Sequence, residues 1–310
     1  MSATPPRAGV AVTGWGLRCA LGEDPLAVAG ALAQGASGVA VQAELAELPD
    51  ARAAVVAGPD LRPWLKRRKD AKLFARPSEL VLPACGEALA GFGGELLEVG
   101  VYLGVGREPS DGGDSEASLV ASCQDGQLDQ VLLAGVGKDL YPPLLPLRTL
   151  PNMALAHVSI HLGVGGANGA WAGDAPAGLQ AIRVALWALV EGRCPVALAG
   201  GTDSHVDLGS ARDQRRLGQA EVPGEAAAVL RLEPLGSEGT RCTLHLVELS
   251  EGELVEARRA TAAHWPALGR CGAGDAALAL VLAAARVGAG GPVERLACGS
   301  PPVCFELRPA

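Results

Sequence analysis

Paired cysteines are absent from this chain. Its eight Cys stand at 19, 85, 123, 194, 242, 271, 298 and 304. None has the Cys-x-x-Cys spacing of a zinc site, and they are too thinly spread for a disulfide-built secreted scaffold. They read as reduced, small apolar residues. Long hydrophobic runs are missing too: the longest, Ala276 to Ala285, is far short of the about 20 residues that cross a bilayer. Met1 to Pro6 carries neither a basic nor an apolar region, so no secretory leader and a cytoplasmic location are expected. Positive charge is in deficit, with a net charge of -8, which argues against nucleic acid as a partner because phosphate binding rests on clustered cations. Aromatic residues are few: two Tyr, three Phe and five Trp.

Alanine and glycine fill the body of the chain, and at 310 residues with 49% hydrophobic content there is enough of it for a large core. The most readable stretch runs from Asp174 to Asp203. Leu179, Ile182, Leu186, Leu189 and Val190 recur at the spacing of one helix face. Asp174 is suited to cap that helix, Pro176 to its first turn and Gly192 to its end. Pro195 to Gly200 then reads as a short buried strand entering a tight Gly-Gly turn over Gly200–Asp203. Strand, helix and strand in succession indicate an α/β protein. The glycine pairs Gly14/Gly16 and Gly104/Gly106 lack the third glycine of a dinucleotide fingerprint and read as turns. Glu108 to Glu116 reads as an exposed loop, and Tyr141 to Pro151, with four prolines, as an extended connector.

Few residues suggest chemistry. His157 and His161 lie four apart on an expected helix, a spacing that can offer two imidazoles to one metal. No carboxylate lies between them and no third ligand is identifiable, so no metal or cofactor is expected. No Ser-His-Asp or Cys-His arrangement can be assembled.

Several motifs in order resemble those of the β-ketoacyl synthases. Val10 to Gly16 followed by Leu21-Gly22 resembles the opening strand and loop of that family. Ala31 to Val39 resembles its Leu-x-x-Gly-x-Ser-Gly-Ile turn, and Gly100 to Gly106 a core strand. Pro151-Asn152, His157 to Gly163 and Gly166-Ala167-Asn168 resemble the run leading to the active-site cysteine, and Pro223 to Leu230 the Gly-Glu-Gly-Ala strand. Counting forward from Asn168 without a gap, the cysteine position is held by Ala175. Asp174 beside it is either an improvised base or a helix cap.

The second half departs from the family. There is no His-Gly-Thr loop. Leu268 to Asp275, which resembles the second histidine motif, contains no histidine, and His264 lies several residues too early. Cys271 within it reads as a displaced nucleophile or, in preference, as a buried thiol. The short strand Cys298 to Leu307 replaces the family's glycine-rich gate. The stretch from Leu235 to Gly269 is too short for the family's crossovers.

The resemblance implies a thiolase-like five-layer αβαβα fold with a truncated second half. Residues 8–235 would form the ketosynthase-like half and 236–310 the shortened one, in a single compact unit. It also implies a dimer strand at Asn168, Gly169, Ala170, Trp171, Ala172 and Gly173. The basic run Arg62, Lys66, Arg67, Arg68, Lys69 and Lys72 around Trp64 resembles a stretch preceding a family helix, and is read either as a docking patch for an acyl carrier protein or as a solvated face.

Condensation needs a thiolate to carry the acyl group and preorganised donors for the developing oxyanion. The expectation is therefore a pseudoenzyme used as an adaptor, chaperone or scaffold, with a type VI secretion effector or its adaptor as partner. The alternative is an accessory subunit resembling a chain-length factor, paired with an active ketosynthase and its carrier protein. An acyltransferase or hydrolase with a relocated nucleophile is the third reading. A homodimer or heterodimer is expected.

Overall fold

The chain's structure, a computed structural model, describes residues 9–47, 50–106, 115–216, 218 and 221–310. The first half opens with β1 (Gly9–Arg18), α1 (Pro25–Ala33), the small ribbon β2 (Val39–Val41) and β3 (Arg52–Ala54), then α2 (Arg76–Ala88) and β4 (Val99–Val105). A run of short elements follows: α3 (Glu116–Ala121), β5 (Cys123–Gln124), β6 (Gln127–Leu128), α4 (Gln130–Leu132), α5 (Lys138–Leu140) and α6 (Pro146–Thr149). The chain then forms α7 (Met153–Leu162), β7 (Asn168–Ala172), α8 (Pro176–Val190), β8 (Val196–Ser204), α9 (Leu208–Arg216) and β9 (Glu225–Glu233). The second half holds β10 (Cys242–Leu246), α10 (Glu251–Ala262), α11 (Trp265–Leu268), α12 (Asp275–Gly288), β11 (Glu294–Cys298) and β12 (Val303–Pro309).

One eight-stranded sheet runs β11-β12-β10-β1-β9-β8-β4-β7, parallel across β8-β4-β7 and antiparallel elsewhere. The two halves meet where β1 pairs with β10. Helix α8, strand β8 and strand β9 laid beside β1 are repeated as α12, β11 and β12 laid beside β10. The counterparts of β4 and β7 have no place in the second half, which is the truncation that the sequence implied. Alternation along β9 separates two apolar clusters. Ala227 and Val229 face α2, α7, β4 and β8, while Ala226, Ala228, Leu230 and Leu232 face α8 and α12. Leu296, Val303, Phe305 and Leu307 of β11 and β12 join this second cluster, and Ala297 and Cys304 face α10 instead. The layers thus read helix, sheet, helix, sheet, helix, with the two sheet layers joined edge to edge.

Several local expectations are corrected. Gly200 and Gly201 form no turn: β8 continues straight through them to Ser204. They are glycine because Ala228 O and Ala273 O lie where side chains would stand. Gly14, Gly16 and Gly104 likewise lie inside strands, Gly16 pressed against the Ala84 carbonyl of α2 and Gly104 against Gly178 of α8. The single strand expected over Cys298–Leu307 is a hairpin, turned at Gly299 (φ 91°). Helix α6 interrupts the expected connector, started by Pro146 at a position that needs no amide donor. The loop expected over 108–116 lies, apart from its last two residues, outside the described residues. Among the described residues, no helix is long and apolar enough to cross a membrane.

Helix α10 occupies the flank of β11 where a further strand would pair. Its buried Thr261 hydroxyl accepts from Ala297 N–H (3.1 Å) and lies within donating distance of Ala297 O (3.1 Å) and Ala257 O (2.9 Å). One side chain thus satisfies edge backbone groups that would otherwise be buried without partners. Thr261→Val is expected to cost about 1–3 kcal/mol in chemical denaturation, with Thr261→Ser losing little; equal losses in the two variants would show that the hydroxyl is not responsible.

Candidate functional site

Strands β4 and β7 end together, Gly173 N–H donating to Val105 O (2.9 Å), and the chain turns back at once into α8. The residue at this turn is Ala175, 5% exposed. It occupies the helix N-cap position, so Asp174 stands one residue too early to cap the inner amides. Its carboxylate accepts instead from the amide of Ala175 (2.8 Å) and from Arg270 Nη2 (2.9 Å). Arg270 is held by its backbone, its N–H donating to Val222 O (2.7 Å) and its carbonyl accepting from Gly224 N–H (2.9 Å). Its guanidinium lies over the Trp265 ring at 5.2 Å, with Glu221 and Asp275 each at 3.9 Å. An ion pair between the halves thus spans the start of α8.

Asp275 opens α12 and is wholly buried. Its Oδ1 accepts from Cys271 N–H (2.8 Å) and stands 3.4 Å from His264 Nε2. Burial pushes its carboxyl above the ordinary value, against the opposing pull of His264, the Cys271 amide and Arg270. Cys271, of the two readings offered for it, fits the buried thiol. Its thiol is buried against the carbonyls of Leu268 and Gly269 (both 3.6 Å), and burial, with Asp275 nearby, holds its pKa well above the ordinary value.

The end of β8 adds two residues that the expected turn concealed. Asp203 Oδ1 accepts from Ser204 N–H (2.9 Å), and its Oδ2 accepts from Ala273 N–H (3.1 Å) and meets His205 Nε2 at 3.1 Å. Gly272 and Gly106 leave room for this pair, since a side chain at either would strike Asp203. Burial alone would lower the His205 imidazole, but the hydrogen bond and charge of Asp203, with Asp174 and Asp275 beyond, raise it above its ordinary value. Had the strand been carried through Gly200-Gly201, its period of two would have set Asp203 and His205 on one side.

The site therefore presents carboxylates balanced by a guanidinium and imidazoles. It is built for ion pairing, with an alanine methyl where the family resemblance places a thiol.

The basic run is a structured segment. Trp64 packs its ring on Gly86 of α2, Arg62 pairs with Asp60 (2.8 Å) and Arg67 with Asp70 (3.0 Å). Lys66, Arg68, Lys69 and Lys72 are exposed. His157 and His161 hold the segment to α7. His161 Nδ1 accepts from Lys66 N–H (3.2 Å), and His157 Nε2 donates to Leu73 O (3.2 Å). The two rings stack at 6.0 Å, and Phe74 lies against both. Immediately beyond, Arg76 reaches the buried Glu225 (2.7 Å), which also accepts from Ser204 Oγ (2.9 Å). The segment is thereby tied to the strand end that carries Asp203. The expected dimer strand, Asn168 to Gly173, contains β7, which lies at the free edge of the sheet and pairs only with β4 among the described residues.

Residues 7–231 match the family described as Beta-ketoacyl synthase, N-terminal domain. The chain belongs to this family. Among solved structures, a type II polyketide synthase acyl-carrier protein in complex with its ketosynthase bound to the hexaketide (AntDE:AntF) gives a TM-score of 0.71 at 16% identity, over 98% of this chain and 100% of that one. The ishigamide ketosynthase/chain length factor gives 0.67 at 20% identity, over 97% and 99%. A beta-ketoacyl synthase from Burkholderia phymatum STM815 gives 0.71 at 15%, over 98% and 100%. At these identities the likeness is one of fold. No curated protein matches the chain.

His161 must be neutral for its Nδ1 to accept, whereas His157 donates to Leu73 O in either protonation state; burial lowers the pKa of each below 6.5. Their contribution to stability is complete above 6.5 and is lost as the pH falls through the lowered values. His205, raised above 6.5, works in the opposite sense: its contribution is complete below 6.5 and is lost as the pH rises through the raised value. His161→Gln supplies an acceptor that does not titrate, so the acid limb of a denaturation-midpoint profile is expected to flatten while the alkaline limb stays. An acid limb identical to that of the wild type would exclude His161 as its source.

Proposed function

We propose that this protein is a non-condensing member of its family that pairs, as an accessory subunit, with an active ketosynthase. The observation that carries this reading is the start of α8. Ala175 supplies no nucleophile there, and the space before it is bridged by Asp174 and Arg270, two side chains fixed to each other across the halves. A helix N-terminus still favours negative charge, so the scaffold keeps an electrostatic asset without a reacting atom.

Pairing is supported by β7. The side chains on its exposed face, Asn168, Ala170 and Ala172, carry no charge, and the strand contains no proline. Such an edge lacks the usual protection against strand pairing. We assign Asn168–Gly173 to the subunit interface. The exposed cations at 66–72 supply a surface suited to an acidic carrier protein, and the names of the structural neighbours, a ketosynthase/chain length factor and a ketosynthase complexed with its carrier protein, favour the same reading. No observation in the fold or the comparisons favours the secretion-adaptor reading.

Co-expression with a type II ketosynthase is expected to give a 1:1 complex by native mass spectrometry. Ala175→Cys is expected to leave the chain unable to condense acyl and malonyl thioesters, because the motif from Leu268 to Asp275 holds no histidine and its Arg270 is paired with Asp174. Condensation by that variant would refute the non-condensing reading, and a chain that ignores every ketosynthase offered would refute the pairing.

A further inference from the structure

A cleft of about 480 Å³ opens at the far end of α12 from Asp275, about 20 Å along a helix of 14 residues. None of its walls belongs to the site at the start of α8. Trp15 of β1 and Arg241 meet the end of α12 there, and Leu26, Val287 and Pro309 complete the apolar walls. Gly288 lets the helix approach, since a side chain there would stand 3.2 Å from Arg241 O and 3.5 Å from the Trp15 ring. The pairing of β1 with β9 shifts register between Val12 and Gly14, a bulge that leaves Thr13 without a partner in β9. The Thr13 carbonyl accepts instead from Arg241 Nε (3.3 Å) and Arg231 Nη2 (3.2 Å), while Arg241 N–H donates to Val12 O (2.8 Å). The Arg241 guanidinium lies over Trp15, 4.2 Å from the ring centroid. Backbone on one edge and indole on one face hold it in place.

What distinguishes Arg241 is a missing carboxylate. Arg18, Arg76, Arg231 and Arg270 are held by comparable carbonyl or ring contacts, and each also meets a carboxylate, of Glu87, Glu225, Glu233 and Asp174 respectively. Among the described residues no carboxylate lies within ion-pair distance of Arg241. The cleft walls carry no acidic side chain. A carboxylate lying in the guanidinium plane would take both η nitrogens, in the fork geometry that arginine offers and lysine does not. Its body would then rest on Leu26, Val287 and Pro309. At about 30 Å³ per water-sized unit the cleft holds roughly 16 such units, so a body of about ten non-hydrogen atoms fills much of it.

We infer that this cleft is a binding site for a small organic acid, a carboxylate on a compact apolar body, with Arg241 as the partner of the anion and Trp15 as its support. The inference stands apart from the pairing with a ketosynthase, since β1 and β7 are four places apart in the sheet.

The test follows the indole N–H signals of the isotope-labelled protein by NMR during titration with naphthoate, with naphthol as the uncharged control and naphthylmethylamine as the cationic one. The Trp15 signal is identified by its loss in Trp15→Phe. Naphthoate is expected to saturate the wild type and to shift the Trp15 signal, and each control to bind at least 10-fold more weakly. Arg241→Gln and Arg241→Lys are each expected to weaken naphthoate at least 10-fold. Ala289→Phe, at an exposed position on the cleft, blocks it while leaving the guanidinium in place, and is expected to have the same effect. Arg259→Gln, at an exposed arginine of α10, is expected to bind as wild type. The remaining indole signals report whether each variant keeps its fold, and Ala289→Phe carries the test alone if the arginine variants do not. A wild type that does not saturate, a Trp15 signal that stays unmoved, equal binding of naphthol, or binding that survives Arg241→Gln or Ala289→Phe overturns the inference.

Discussion

The structure depends on the close approach of α8 to strand, sheet and helix at once. Gly104 of β4 meets the backbone of α8 at Gly178; Gly178 in turn lies against Ala273 and Ala277, and Gly201 of β8 lies under Ala273. No residue with a larger side chain fits at these crossings, and the separation of the layers is set by backbone against backbone. Such contacts draw the start of α8, the end of β8 and the start of α12 to one point from regions far apart in sequence. They also account for a composition rich in Ala and Gly and poor in aromatics: dense packing at short layer spacing has no room for rings.

What converges there is charge. Asp174, Asp203 and Asp275 are brought together with Arg270, His205 and His264. Asp203 and Asp275 are buried and Asp174 is partly exposed; all three are tolerated because each is hydrogen-bonded or paired, the backbone amides of Ala175, Ser204, Ala273 and Cys271 supplying donors alongside the cations. Arg270 and Asp174 belong to different halves, so their ion pair fastens the second half to the first at the start of α8.

Away from this point the molecule is asymmetric in how its surfaces are finished. The far edge of the sheet, at β11, is covered by α10 and satisfied by Thr261. The near edge, at β7, is open and uncharged, and several large apolar side chains between β4 and α7, among them Val120, Leu128 and Val131, are exposed. The basic segment is fixed by two histidines of α7, His161 Nδ1 accepting from Lys66 N–H and His157 Nε2 donating to Leu73 O, so each spends a ring nitrogen on the segment's backbone.

The sequence by itself determined the local periods and the family. The spacing of Leu179, Ile182, Leu186 and Leu189 gave α8 its buried face, and the ordered motifs from Val10 to Leu230 gave the first half of the fold. Counting from Asn168 along the family resemblance put Ala175 at the cysteine position, whereas the cap expected at Asp174 falls on Ala175 in the structure. The tertiary structure alone decided whether a glycine marks a turn or a crossing: Gly200 and Gly201 read as a turn because the carbonyls that crowd them come from residues 228 and 273, invisible to any local window. For the same reason Asp203 and His205, Arg270 and Asp174, and the histidine clamp on the basic segment became legible only once strands distant in the chain were side by side. Periodicity is a property of neighbours in sequence, whereas close approach and charge pairing are properties of neighbours in space.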